Sequence, residues 1–369
     1  MDNLFDTINN SHFDFYFLVV DKFLDINIPK LSHFYSLSPE KLNITLDQKN
    51  SGRLLSHPAT IEFIKSNSTK SGRLPAIIPF KPSAKIDLIC RQNNWILVSN
   101  SASLNHLLED KLKFPGICEK YQIPLVPYLI KPFSVESFQE ARQQFGQNII
   151  LQSHFGWAGN SSLLTSSFTD AKTKFKPGCP IKYSQYLKGY TLINNCCLTG
   201  KGLIQSPPGL QYSGLKPLTS NPLATVGRQW PCQTPPDIQQ QVSKITTDFG
   251  KVLTDLNYFG FFGLDFLVSN DQVFLLECNP RLTASFGFYT DIEMNAGITP
   301  LFLYHLAEFC HLEFENLELS RFSSPKIIGS EITLKNSSGT TVKKYHDFSA
   351  FSASNDPVSI ADQILAQVL

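Results

Sequence analysis

Two acids stand inside apolar sequence in the last third of this chain: Gly263-Leu264-Asp265-Phe266-Leu267-Val268, then Val273-Phe274-Leu275-Leu276-Glu277-Cys278-Asn279-Pro280-Arg281. A carboxylate among apolar side chains is costly to bury unless it is paired or coordinates a metal. Glu277 and Asn279 are two residues apart, so in a strand both side chains leave the same face. Whether Asp265 joins them depends on hairpin register. Pairing Ser269 with Val273 across a three-residue Asn270-Asp271-Gln272 turn sets Asp265 opposite Glu277, whereas a four-residue turn sends it to the other face. An odd number of turn residues is therefore predicted. Two carboxylates and an amide oxygen are hard ligands of the kind Mg²⁺ prefers, and Mg²⁺ shares its sphere with substrate phosphates. Arg281 can grip phosphate oxygens through two parallel hydrogen bonds. The alternative is that Asp265 and Glu277 lie on a solvated face or pair with Lys or Arg.

The hairpin needs elements to hold it. A helix from about Pro236 to Asn257 carries Ile238, Val242, Ile245, Phe249, Val252 and Leu256 as one apolar stripe and runs straight into the first acid-bearing strand. Upstream, Phe15–Val20, Ala76–Phe80, Ile86–Cys90 and Trp95–Val98 read as buried strands, with a helix over Leu54–Ile64 and a polar loop over Lys41–Arg53. A helix starting near Ser103 carries Leu104, Leu107, Leu108 and Leu112, with Lys111 in its C-terminal half. Cys118–Pro127 is expected to be extended, because its two prolines forbid a helix.

Ser134 caps a helix that Gly146 ends, and Ile149–Leu151 is a strand. Residues 152–162 form a turn-rich loop in which Gly156 and Gly159 allow backbone N–H groups to converge on an anion, although an ordinary surface turn has the same composition. Strands are predicted over Leu163–Ser166, Ile181–Leu187 and Thr191–Leu198, then loops and short strands over Gly202–Arg228. Thr299-Pro300 opens another helix. The tail holds strands over Lys326–Leu334 and Thr340–Lys344 and a last helix capped by Ser359.

The 369 residues predict two or three packed units. A 42% hydrophobic and 17% charged composition belongs to a globular protein. Lys and Arg number 32 against 31 Asp and Glu, a net charge of +1, which argues against whole-surface recognition of nucleic acid and leaves room for a local basic pocket. None of the eight cysteines forms a Cys-x-x-Cys pair, so reduced thiols are expected, with Cys196-Cys197 in a core strand. No leader or membrane-spanning run is read, and a cytoplasmic protein without membrane or nucleic-acid partners is expected.

At this point the residues carry a resemblance. Phe262–Val268 together with Leu275–Arg281 resembles the C-terminal metal-binding signature of the ATP-grasp superfamily, in which an acid on one strand and a Glu-x-Asn-x-Arg on the next hold Mg²⁺ and ATP. Glu109-Asp110-Lys111, followed by Tyr121–Pro127, is similar to the stretch that opens that fold; Phe155–Ser161 is similar to its flexible glycine loop, and Tyr183–Gly189 to its hinge strand. The resemblance covers roughly residues 100–315.

It implies an α/β (α+β) fold of ATP-grasp type. An N-terminal α/β unit would span residues 1–105, the ATP-grasp domain 106–315 with its glycine loop at 153–162 and metal hairpin at 262–281, and a C-terminal extension 316–369. It further implies that Asp265, Glu277 and Asn279 hold Mg²⁺ (or Mn²⁺) and that Lys111 and Arg281 stabilise the transferring phosphoryl group. Lys111, Gln152, Gly156, Gly159, Ser184, Gln185, Tyr186, Leu187 and Thr191 would bind ATP.

Three positions depart from the pattern: Gln152 stands where a second lysine is usual, Ser184 where a Glu often begins the hinge, and Thr191 where a ribose-binding acid is common. The implied activity is ATP-dependent, ADP-forming activation of a small carboxylate as an acylphosphate and its transfer to an amine, with a homodimer left open. The alternatives are a carboxylase activating bicarbonate, or a nucleotide-binding protein without turnover. His154, Arg228, Asp291, Glu293 and Asn295 are further polar candidates, with Arg228 either anchoring a substrate carboxylate or forming a surface salt bridge.

Overall fold

The structure, a computed structural model, describes residues 2–21, 24–26, 28–156, 161–215, 218–314 and 327–333. Three sheets organise it. The first is parallel, in the order β2-β1-β3-β4, with β1 at Phe13–Leu18, β2 at Phe34–Leu37, β3 at Leu74–Pro79 and β4 at Ile96–Leu97. All six residues of β1 are buried, as expected for a strand covered on both faces. The helices of this region are α1 (Asp2–Asn9), α2 (Ser51–Ser56), α3 (Pro58–Ser71), α4 (Ala84–Asn93) and α5 (Ala102–Glu109).

Three expectations change here. Ile86–Cys90 is part of α4 and not a strand: Ser83 accepts a hydrogen bond from the Ile86 N–H (3.4 Å), and Ile86, Ile89 and Cys90 bury one helical face. A short apolar run fits either period, and the capping serine decides it. The single helix over Leu54–Ile64 is two, because Pro58 starts a new helix at α3; Ser51–Arg53, read as loop, open α2.

The second sheet is antiparallel, in the order β5-β8-β6-β7. Its strands are β5 (Tyr128–Pro132), β6 (Ile149–Gln152), β7 (Ser162–Thr165) and β8 (Pro180–Gln185), covered by α7 (Val135–Phe145) and α8 (Phe168–Lys174); α6 (Phe114–Lys120) precedes them and packs in the core of α9 and the third sheet. Ser134 and Gly146 bound α7 as the sequence predicts. Cys118–Lys120, expected to be extended, complete α6; both prolines lie beyond it, where the chain runs irregularly into β5.

The third sheet has seven antiparallel strands in the order β14-β13-β9-β11-β12-β15, with β10 beside β9. Its elements are β9 (Tyr190–Thr199), β10 (Gly202–Gln205), β11 (Gly209–Ser213), β12 (Thr225–Trp230), α9 (Pro236–Asp255), β13 (Gly260–Ser269), β14 (Gln272–Asn279), α10 (Phe286–Asn295), α11 (Leu301–Phe309) and β15 (Gly329–Ile332). The predicted stripe of α9 is buried from Ile238 to Val252, and Leu256 forms its C-cap. Phe15 and Phe17 of the first sheet share one core with Phe286 and Phe302 of α10 and α11, so the N-terminal unit packs directly on the third sheet's helices. The predicted strand at Thr340–Lys344 and the Ser359-capped helix lie outside the described residues. No helix among the described residues is long and apolar enough to cross a membrane.

The acid-bearing hairpin β13–β14 differs from expectation in an informative way. Its turn has two residues, Asn270 and Asp271, both left-handed (φ 48° and 59°), and Ser269 pairs with Gln272. That even count alone would set Asp265 opposite Leu276. A β-bulge between Asp265 and Phe266 supplies the missing residue: Phe266 pairs with Leu275, yet Asp265 pairs with Glu277. The turn prediction was wrong, and the bulge produces the juxtaposition by another route.

Gly260 opens β13 at φ +84°, where a Cβ would lie 2.4 Å from His305 Nδ1 and 2.6 Å from the Phe309 ring. His305 Nδ1 in turn accepts the Phe261 N–H at 3.0 Å. Gly260→Ala is expected to cost about 2–4 kcal/mol through strain and overpacking, read as a fall in the urea midpoint.

Candidate active site

A cleft of about 550 Å³ lies between the second and third sheets. Its far wall is the end of β8 and the segment after it: Ser184, Gln185, Tyr186 and Leu187 line it, joined by Thr191 of β9, whose hydroxyl donates to the Gln211 carbonyl (3.0 Å). Tyr186 and Leu187, predicted as strand, lie past the end of β8 at Gln185. The chain then crosses β13 closely at Gly189, where a Cβ would sit 1.9 Å from the Val268 carbonyl oxygen. Gln152 lines the cleft and donates through Nε2 to Ser162 Oγ (3.0 Å). Gly156 also lines it, and a Cβ there would lie 2.3 Å from Ser161 Cβ. Gly159 is outside the described residues.

The near end of the cleft holds Lys111, Asp265 and Glu277. Lys111 is not on the helix predicted for it. That helix ends at Asp110, and the following turn aims the lysine at the carboxylates while its backbone N–H donates to the His154 carbonyl (2.9 Å). Lys111 Nζ donates to Glu277 Oε2. Burial pushes Asp265 up, and the neighbouring Glu277 charge pushes it further, to about 8. Burial would raise Glu277 as well, but the Lys111 ammonium outweighs it and holds that carboxyl below the usual range. The shared proton therefore resides on Asp265.

Asp265 Oδ1 is buried with no hydrogen-bond partner among the described residues. An orphaned acid oxygen beside a second carboxylate fits a hard divalent cation that takes its remaining ligands from water and phosphate. No group of three or more His, Cys, Asp or Glu gathers among the described residues, and Asp265 and Glu277 are the carboxylates that line the cleft.

Asn279 and Arg281 are not among the residues lining the cleft. Arg281 donates from Nε to Glu109 Oε1 (2.8 Å), from Nη1 to the Leu282 carbonyl (3.0 Å) and from Nη2 to Asn279 Oδ1 (3.1 Å). Lys81 Nζ takes the other Glu109 oxygen at 2.7 Å. Arg281 thus belongs to an internal network that ties the end of β14 to α5.

Arg228 is neither a free anchor nor a surface pair: it is 12% exposed and bonds Glu331 of β15 at 2.5 Å. His154 Nδ1 lies 2.9 Å from Asp110 Oδ1. Glu293 is buried and accepts the Leu301 N–H (3.1 Å) at the start of α11, which makes it a structural cap. Asp291 and Asn295 are exposed on α10.

Sequence reasoning missed Lys182. It stands on β8 directly opposite Gln152 of β6, lines the cleft, and is only 9% exposed. It makes no hydrogen bond or ion pair among the described residues. Burial, then the Lys111 charge, push its ammonium down to about 8. In sequence, Ile181-Lys182-Tyr183 looks like a strand with an outward lysine; the signal was its parity with Ser184, which puts both on one face.

Residues 224–285 match the ATP-grasp domain family. No curated relative matches the sequence. Among solved structures, N5-carboxyaminoimidazole synthase from Aspergillus clavatus, in complex with ADP and 5-aminoimidazole ribonucleotide, superposes with a TM-score of 0.57 at 14% identity, covering 82% of this chain and 77% of that one. N5-carboxyaminoimidazole synthetase from Staphylococcus aureus gives a TM-score of 0.50 at 15% identity, covering 66% of this chain and 61% of that one. The biotin carboxylase domain dimer of Hydrogenobacter thermophilus 2-oxoglutarate carboxylase, in complex with Mg-ADP, ADP and bicarbonate, gives 0.54 at 13% identity, covering 78% and 62%. The chain thus spans about three fifths of the length of the last two proteins. The chain thus has the ATP-grasp fold, and its residues 224–285, which carry the carboxylate hairpin, match the ATP-grasp domain family.

Proposed function

We propose that this protein is an ATP-dependent, ADP-forming enzyme that activates a small carboxylate as an acylphosphate and transfers the acyl group to an amine. The observation that carries this reading is the pairing of Asp265 with Glu277, next to Lys111, at one end of a cleft whose other end is the hinge at Ser184–Leu187.

The nucleotide base lies against Tyr186 and Leu187, where exposed backbone can read its edge. Gln152, Gly156 and Ser161 face the phosphates. Asp265 and Glu277 would hold Mg²⁺, or Mn²⁺ in its place, and the cation would supply charge stabilisation to the terminal phosphates. Lys111, beside Glu277, supplies a second positive charge at the same end of the cleft. Arg281 orients Asn279 and the end of β14, so its effect reaches the phosphates through position. The acid's oxygen attacks the terminal phosphorus as the bond to the ADP oxygen breaks, and the amine then displaces phosphate. No protein nucleophile is required, because positioning and charge stabilisation supply the catalysis.

A second reading takes bicarbonate as the acid. It is favoured by the likeness to a biotin carboxylase domain bound to bicarbonate and to a synthase bound to 5-aminoimidazole ribonucleotide. ADP release in Mg-ATP, measured across small acids including bicarbonate and across amines including 5-aminoimidazole ribonucleotide, tests both. Acid-dependent ADP release is expected. Tight Mg-ATP binding with no acid-dependent ADP release would leave a nucleotide-binding protein in place of an enzyme.

A further inference from the structure

The cleft contains two lysines with opposite circumstances. Lys111 is paired with Glu277, whereas Lys182 is nine-tenths buried, has no hydrogen-bond or ion-pair partner among the described residues, and feels the Lys111 charge more strongly than that of Glu277. A cation kept in such a place without a partner is a standing cost unless an anion occupies the space in front of it.

Strand geometry says which anion. Lys182 and Ser184 leave the same face of β8, and two residues of strand separate them by about 6.6 Å. Ser184 begins the hinge end of the cleft, while Glu277 and Lys111 both act electrostatically on Lys182 from the other end. Lys182 therefore sits between the base end and the metal end. Its cross-strand neighbour, Gln152, can donate a hydrogen bond but carries no charge, and its Nε2 is already directed to Ser162.

We infer that Lys182 is the cation that grips the α- and β-phosphates of a bound nucleotide, reaching the cleft from β8 where the facing residue of β6 is a neutral glutamine. This rests on the reading of the cleft as a Mg-nucleotide site. Lys182 then binds phosphate directly, Lys111 serves the terminal phosphate, and affinity rises with each phosphate added to adenosine. The same geometry makes the cross-strand pair exchangeable: a lysine at 152 with a neutral residue at 182 presents the charge to the same space from the opposite strand.

The test is titration calorimetry with adenosine, AMP and Mg-ADP on the full chain, using wild type, Lys182→Met, Lys182→Arg and the exchange variant Lys182→Met/Gln152→Lys. Lys182→Met is expected to weaken Mg-ADP binding by about 10- to 100-fold, the loss of one charged hydrogen bond, while adenosine binding stays within about twofold. Lys182→Arg and the exchange variant are expected to recover most of the affinity. Mg-ADP affinity unchanged in Lys182→Met overturns the inference and leaves the nucleotide reading standing. So does an equal loss of adenosine and Mg-ADP binding, or an equal loss in the Met and Arg variants. If Lys182→Met does not fold, the wild-type ladder decides: affinity that fails to rise from AMP to Mg-ADP overturns the inference. Wild type that binds none of the three overturns this inference and the nucleotide reading together.

Discussion

Glu277→Gln is expected to abolish Mg²⁺-dependent nucleotide binding and to lower ADP release by about 10³-fold, the effect of removing several kcal/mol of charge stabilisation from the transferring phosphates. The substitution keeps the shape but removes the charge and turns one acceptor oxygen into a donor. It takes away one of the two carboxylates available to a cation and the partner of Lys111. The fold should tolerate it, because Asp265 also stands within electrostatic reach of Lys111 and can ionise in place of Glu277 once the repulsion between the two acids is gone. Calorimetry with Mg-ATP and a coupled ADP assay read the two effects separately. Wild-type affinity for Mg-ATP in the Glu277→Gln protein would contradict the proposed role of this acid.

Asp265→Asn is expected to act in opposite directions on function and stability. Nucleotide-dependent metal binding is lost, yet the metal-free protein becomes more stable at neutral pH. Asp265 titrates near 8 in the folded chain against an ordinary value of 3.8. Between those values the native state keeps a proton that the unfolded chain has released, so stability falls as pH rises from about 4 to about 8. Below that window both states are protonated, and the penalty vanishes. An amide never has to ionise, so it escapes the penalty; because the side chain opens onto the cleft, solvent reduces the gain to the order of 2 kcal/mol near pH 7.5. Thermal melts of both proteins from pH 5 to 8.5, without divalent cation, check this. The melting temperatures should diverge as pH rises. A variant that is less stable than wild type throughout would show that the carboxyl is held by partners the structure does not contain.

The central elements of the third sheet were legible because their sequence leaves little choice. Phe261 to Phe266 is too apolar to lie at a surface, and the α9 stripe repeats at helical spacing. The two acids could be placed on one face from parity alone, but the device that puts them there could not. The sequence suggested a longer turn, whereas Asn270-Asp271 closes a two-residue turn and a bulge at Leu276 restores the phase. A bulge leaves no period to detect.

Lys111 was misplaced for a related reason: Leu112 continues the apolar spacing of α5, but Asp110 ends the helix and the lysine turns into the cleft. Lys182 was invisible because burial of a lysine depends on what the opposite strand and the facing sheet contribute, and neither is local in sequence. Glu293 shows the reverse case: a polar residue beside a site invites a functional role, and here it caps α11.

The measurement closest to the central claim is a crystal structure with Mg²⁺ and a non-hydrolysable ATP analogue. The account predicts a cation bonded to carboxylate oxygens of both Asp265 and Glu277, with Lys111 moved from Glu277 onto a phosphate. Nucleotide bound in the cleft with Lys111 still on Glu277, and the cation absent from both acids, would contradict it.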